Sequence, residues 1–133
     1  MLDIDMRFKQ GILFIRLNGI LNGDTCMKLE ESISTLIEDN GIKYVLFNLN
    51  NLDYIDKYGI NLILKNYINI TNNNGNLIIC GIEKLFTYTN SITNNLYQVH
   101  DEDKVFELIN IWTLSSYNIL RRLHTFSIPM CSS

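Results

Sequence analysis

Long apolar runs are missing from this sequence. None approaches the 18 or so residues that a membrane-crossing helix needs, so no transmembrane span is expected. A basic excess is missing too: 11 Lys and Arg stand against 14 Asp and Glu, for a net charge of −3. That excludes the cationic footprint of a nucleic-acid binder. The opening MLDIDMRFKQ puts acids where a secretory signal needs bases and an apolar block, so the expected location is the cytoplasm. Cysteine is sparse and scattered. Cys26, Cys80 and Cys131 form no CxxC pair, and an odd count fits no closed disulfide set. His100 and His124 lie apart from them, so neither a metal site nor a cofactor is expected. Cys26 and Cys80 read as reduced, mostly buried side chains.

Catalytic signatures are equally thin. No serine sits in a Gly-x-Ser-x-Gly elbow. The segment NNNGN, residues 72–76, lacks the Lys and Ser or Thr that complete a phosphate loop. Asp53 and Asp56 stand three residues apart across a strand end, which defines no catalytic pair. The chain is not expected to be an enzyme.

What is present is a core. A hydrophobic fraction of 47% in 133 residues suits one domain that needs no staples. Leu2, Ile4, Met6 and Phe8 alternate on one face of a strand. Gln10-Gly11 punctuates, and ILFIRLNG continues as the second arm of a hairpin. From Asp24 the period becomes helical, with Met27, Leu29, Ile33, Leu36 and Ile37 on one face. Asn22 or Asp24 caps that helix and Asn40-Gly41 ends it. KYVLFNL is nearly continuous in apolar residues, as in a central strand covered on both faces. Ile60, Ile63, Leu64 and Tyr67 form the stripe of a second helix that stops at NNNG. NLIICGI is a further buried strand, EKLFTYTNSI a third helix, LYQVH a short strand, and Asp101 caps a fourth helix, EDKVFELINIW. Helices between apolar strands demand crossovers. The expected fold is therefore α/β: a mostly parallel sheet of four to five strands, an N-terminal antiparallel hairpin and about four helices.

Two motifs in this order resemble the STAS domains, the sulfate-transporter and anti-sigma-factor-antagonist family. In that family the second strand leads into a motif close to Gly-Glu-Leu-Asp-x-x-Thr. Here GILNGDT, residues 19–25, keeps Gly19, Leu21 and Thr25, with Ile20 for Glu and Asn22 for Asp. The family's third strand runs on as Asp-Leu-Ser-x-Val-x-Phe-x-Asp-Ser-Ser-Gly and then Leu. NLNNLDYIDKYGI matches it in kind at Leu49, Leu52, Tyr54, Asp56, Gly59 and Ile60. The resemblance covers about residues 1–110, read as a STAS-like domain, with 111–133 as a helical extension and frayed tail. It implies a non-enzymatic regulatory module of the anti-sigma factor antagonist type. Such a module binds a protein partner, an anti-sigma factor or related ATPase, by partner switching. Alternatives on the same fold are a stand-alone subunit of a transport ATPase or a small-ligand-binding protein. One departure is central. The serine that a partner kinase phosphorylates in the family falls at Tyr58, and the serine before it falls at Lys57, so no phosphorylation is expected at Tyr58.

The joint DKYG, Asp56–Gly59, thus carries two readings. In one, Asp56 caps a helix, Gly59 lets backbone pass close by, Lys57 is solvated and Tyr58 is a half-buried ring. In the other, the helix start is a fixed docking patch with Tyr58 as its anchor. The partner-binding set is then Asn22, Asp24 and Thr25 with Asp56, Lys57, Tyr58 and Gly59. In the tail, Ile109, Trp112, Ser116, Ile119, Leu123 and Phe126 share one helical face. That stripe is expected to pack on the domain itself, with a homodimer seam or a partner-binding helix as the sharper readings; Pro129 and the final residues should fray.

Overall fold

A computed structural model describes residues 1–39, 41–81 and 96–110, with the side chains of residues 38 and 39 left aside. The chain divides into two compact units, Met1–Glu102 and Asp103–Ser133. The first unit holds β1 (Leu2–Lys9), β2 (Ile12–Leu21), α1 (Cys26–Asp39), β3 (Tyr44–Ile55), α2 (Lys57–Asn72), β4 (Asn76–Cys80) and β5 (Tyr97–Val99). In the second unit, residues 104–110 are helical (α3), with Lys104 and Glu107 paired at 3.7 Å.

The five strands among the described residues lie in the order β1-β2-β3-β4-β5. β1 and β2 pair antiparallel, and every later neighbour is parallel. This is the expected mixed α/β sheet with its leading hairpin. The hairpin closes as the sequence dictates. Gln10 (φ 53°) and Gly11 (φ 82°) both take the left-handed backbone of a two-residue turn, between Lys9 and Ile12 in register.

β3 is the central strand, and Val45, Leu46 and Phe47 are fully buried. Leu13, Ile15, Leu17, Val45, Phe47, Leu49, Leu77 and Ile79 share one face and pack with Leu29, Ile33 and Ile37 of α1 and Ile60, Ile63 and Ile70 of α2. Phe14, Leu46, Ile78 and Cys80, of the opposite parity, are buried too. A sheet buried on both faces explains why β3 and β4 read as continuous rather than alternating apolar runs.

Three differences from expectation are local. Three helices stand among the described residues, against about four expected, because the candidate at 83–92 lies outside them. α1 begins at Cys26, since residues 22–25 form a turn of their own. α3 begins at 104 rather than directly after Asp101, behind a bend at 101–103. The tail stripe from Trp112 onward, Cys131 and the Asn40 end of α1 also lie outside the described residues.

Candidate functional site

β2 and β3 are parallel, and Leu21 pairs with Ile55 at their C-terminal ends. The loops that follow them therefore emerge side by side, the usual place for binding residues in an open α/β sheet. The main chain ties them first: the Asp56 N–H donates to the Leu21 carbonyl at 3.2 Å.

Asp56 completes the joint. It stands just before α2 in extended conformation (φ −111°, ψ −174°). Its Oδ1 accepts the N–H groups of Tyr58 and Gly59, both at 3.0 Å. This is an N-cap, satisfying two donors that a helix start leaves open. Its Oδ2 accepts the N–H of Gly23 at 3.2 Å, from the other loop. One carboxylate thus fixes both the pitch of α2 and the position of the β2–α1 turn.

That turn is built by Asn22 and Thr25. Asn22 Oδ1 accepts the N–H groups of Asp24 (2.9 Å) and Thr25 (3.1 Å). The Thr25 hydroxyl donates to the Ile20 carbonyl at 2.8 Å and accepts the Asn22 N–H at 2.9 Å. Of the two caps expected for α1, Asn22 organises the turn. The Asp24 side chain is exposed and, among the described residues, takes no part in it.

Gly59 is the tightest point. A Cβ there would stand 2.8 Å from both the Leu21 carbonyl oxygen and Ile55 Cγ1, and 2.9 Å from Leu21 Cγ. Only glycine lets α2 start this close to the two strand ends.

Capping leaves the adjacent side chains outside. Tyr58 is 54% exposed. Its ring lies against Gly23, where an added Cβ would meet Cδ2 at 3.3 Å, and Lys57 Nζ stands 5.2 Å from the ring centroid. The expected residues therefore come together: Asn22, Thr25, Asp56 and Gly59 as frame, Lys57 and Tyr58 on the surface, Asp24 at the rim.

Beside Tyr58 an open groove of about 260 Å³ runs between α1 and α2, lined by Gly23, Cys26, Glu30, Asn61, Leu62 and Lys65. Glu30 and Lys65 pair across it. Local sequence reading missed these residues, because the groove exists only once two helices lie together, with Glu30 and Lys65 35 residues apart in sequence. Cys26, expected mostly buried, is only half-buried here. Burial pushes its thiol pKa up, and the negative charges of Asp56 and Glu30 add to that. The thiol is therefore held protonated and is a poor nucleophile. No group of three His, Cys, Asp or Glu suited to a metal occurs among the described residues. No helix among them is long and apolar enough to cross a membrane.

Comparison with known proteins agrees with this fold. An anti-sigma F factor antagonist of Paenibacillus polymyxa is 27% identical over 81 residues, 61% of this chain and 69% of that protein. Among solved structures, the anti-sigma factor antagonist SpoIIAA in its unphosphorylated form superposes with a TM-score of 0.66 at 18% identity, over 81% of this chain and 98% of that one. An anti-sigma factor antagonist from Mycobacterium paratuberculosis gives 0.70 at 11% identity, over 83% and 95%. The family model for the STAS domain matches residues 3–107, which include both motif loops and, but for Leu2, the five strands among the described residues, and the chain belongs to the STAS domain family.

Proposed function

We propose that this STAS domain is a non-enzymatic regulatory module of the anti-sigma factor antagonist type, whose docking surface is the paired loop end around Asp56 and whose binding is not switched by phosphate at Tyr58. The reading rests on one observation above the others. The Asp56 carboxylate spends both oxygens on backbone N–H groups of the two loops, and this presents Tyr58, 54% exposed, on a rigid base beside Lys57. An aromatic ring on a rigid base is a favoured interface anchor, because little side-chain freedom is lost on binding. The likeness to an anti-sigma F factor antagonist supports an anti-sigma factor or related ATPase as partner.

A serine at a helix start can take a phosphate whose charge the free N–H groups and helix dipole favour. A tyrosine hydroxyl sits several ångströms farther out, beyond a site shaped for a short side chain. Tyr58 therefore makes the patch constitutive.

The test is capture of the partner from the native cell with the intact chain, identification by mass spectrometry, and titration. Tyr58→Ala should weaken binding by about 2 kcal/mol or more while leaving the melting temperature nearly unchanged. If the variant unfolds, or binds as before, the patch is a packed cap and the docking surface lies elsewhere. Recovery of a transporter subunit would move the domain to a transport complex. Incubation with a serine kinase of the anti-sigma type should leave residues 57 and 58 unmodified; phosphotyrosine at Tyr58 in useful yield would overturn the constitutive reading.

A further inference from the structure

Among the described residues, β1 lies at the edge of the sheet, with a strand neighbour on one side only. Its residues follow a two-residue turn in which Lys9 faces Ile12. Residues flanking such a turn exchange both backbone hydrogen bonds, and along the ladder bonded pairs alternate with unbonded ones. Asp3, Asp5, Arg7 and Lys9 therefore bond to β2. The N–H and C=O groups of Ile4, Met6 and Phe8 point away from the sheet. The Leu2 carbonyl, of the same parity, accepts Lys28 Nζ at 2.5 Å, which closes that end of the edge.

The side chains are ordered in blocks: acids at Asp3 and Asp5, bases at Arg7 and Lys9, all four exposed. Edge strands commonly carry charge to repel a second strand. This order does the reverse for one partner. Let a second β1 approach antiparallel so that the outward groups bond. Centred on Met6, Met6 faces Met6 and Ile4 faces Phe8, each pair exchanging both N–H and C=O. The intervening close pairs are then Asp5 with Arg7 and Asp3 with Lys9, opposite charges throughout. Other registers that keep the outward groups bonded do worse. Shifting one way sets Asp5 against Asp5, and the other way Arg7 against Arg7. On the opposite face Phe8 is 63% exposed, with Ile4 and Met6 half-buried. The same register stacks Phe8 of one chain on Ile4 of the other. Within one chain Asp5 already lies 3.5 Å from Arg7 and 3.4 Å from Arg16, so the new pairs extend an existing charge row.

We propose that the β1 edge recognises a second copy of this chain, the two β1 strands pairing antiparallel about Met6 to join two sheets into one. The surface joined is small, so the dimer is concentration-dependent. It leaves the Asp56 end of the sheet to a different partner.

Sedimentation of the intact chain across a concentration series tests it. A monomer–dimer equilibrium is expected in the wild type. Arg7→Glu/Lys9→Glu makes the edge uniformly acidic, and Asp3→Lys/Asp5→Lys makes it uniformly basic. Each should weaken self-association at least tenfold, with circular dichroism unchanged. Mixed in equal amounts, the two variants should recover dimer, which neither misfolding nor general charge repulsion can produce. In the wild type, hydrogen exchange at the Ile4, Met6 and Phe8 amides should slow as concentration rises, while Asp5 and Arg7 amides, already bonded to β2, stay constant. A wild type that stays monomeric into the millimolar range overturns the proposal. So does a dimer that survives both variants, which would place the contact on another surface.

Discussion

Two carboxylates organise this domain, and they do it with different donors. Asp56 collects three backbone N–H groups, from Gly23, Tyr58 and Gly59. Glu102 collects three side-chain N–H groups: Arg16 Nε and Nη2, each at 2.8 Å, and Asn48 Nδ2 at 2.6 Å. Both tie distant segments, 33 residues apart for Gly23 and Asp56 and 86 apart for Arg16 and Glu102. The Glu102 joint consumes the functional groups of its partners. Arg16 is spent on Glu102 and Asp5, and the Asn48 amide oxygen accepts the Asn50 N–H. The Asp56 joint consumes only main chain, so the Tyr58 side chain stays available. A binding surface and a structural clasp can thus be told apart by which donors they use up.

The largest break in this comparison is steric. Gly59→Val forces a branched side chain against the Leu21 carbonyl and Ile55, and a backbone oxygen at a strand end has little room to yield. Overpacking of this kind costs about 1–3 kcal/mol, and the upper half is expected here because backbone is involved. The melting temperature should fall by several degrees and binding should fall with it. A variant that melts like the wild type would mean that α2 can shift away from the strand ends, and the fixed base argued for Tyr58 would be lost.

Next in size is Asp56→Ala. Loss of the cap should cost about 1 kcal/mol in chemical denaturation. Freeing Gly23 should also raise amide exchange in residues 22–25. Asp56→Asn sharpens the contrast, because asparagine caps about as well as aspartate. Its single acceptor oxygen can serve the cap or Gly23 but not both. Stability near wild type with faster exchange at Gly23 is the expected outcome. Equal losses for Ala and Asn would show that the charge, not the acceptor geometry, holds the joint.

How much of this was legible in the sequence follows from range. Elements fixed by neighbours a few residues apart were readable: the Gln10-Gly11 turn, the central run at Val45–Phe47, the Asp56 cap, the end of α2 where Asn74 takes a left-handed backbone (φ 64°). The role read for Gly59, close passage of backbone, was also readable from its place after a cap. Alternation put Phe8 on one face with Leu2, Ile4 and Met6, but Leu2 is buried and Phe8 is 63% exposed, since a period of two says nothing about where the helices covering the sheet stop. Asn22 and Asp24 were equal candidates to cap α1, and only the closed turn with Thr25 separates them. The groove at Cys26, the Gly23–Asp56 bond and the whole Arg16–Glu102–Asn48 clasp depend on pairings that no local pattern encodes. The clasp becomes readable once register is known, because Asp5, Arg16 and Asn48 face one another across β1, β2 and β3.

The smallest effect tests the other half of the comparison, that the Glu102 joint works through charge. The Arg16 guanidinium holds the Glu102 carboxyl below the usual carboxylate range; partial burial opposes this, and the Asn48 amide reinforces it. A carboxyl whose pKa is lower folded than unfolded stabilises the fold at every pH above the unfolded value, about 4.3. That contribution fades as pH falls through the folded value, where Glu102 takes up a proton in both states. Arg16 keeps its charge throughout this window. Glu102→Gln removes the charge, and its amide N–H₂ turns donor against donor at Arg16 and Asn48. The pair is partly solvent-exposed, so the loss at neutral pH should be modest, about 0.5–1 kcal/mol. Urea melts of wild type and variant should differ most near pH 7 and converge in acid, once Glu102 is protonated in the folded state as well. A gap that stays constant with pH would show that Glu102 acts through shape and hydrogen bonding alone. The clasp would then resemble the Asp56 joint after all, a carboxylate serving as a geometric acceptor rather than as a charge.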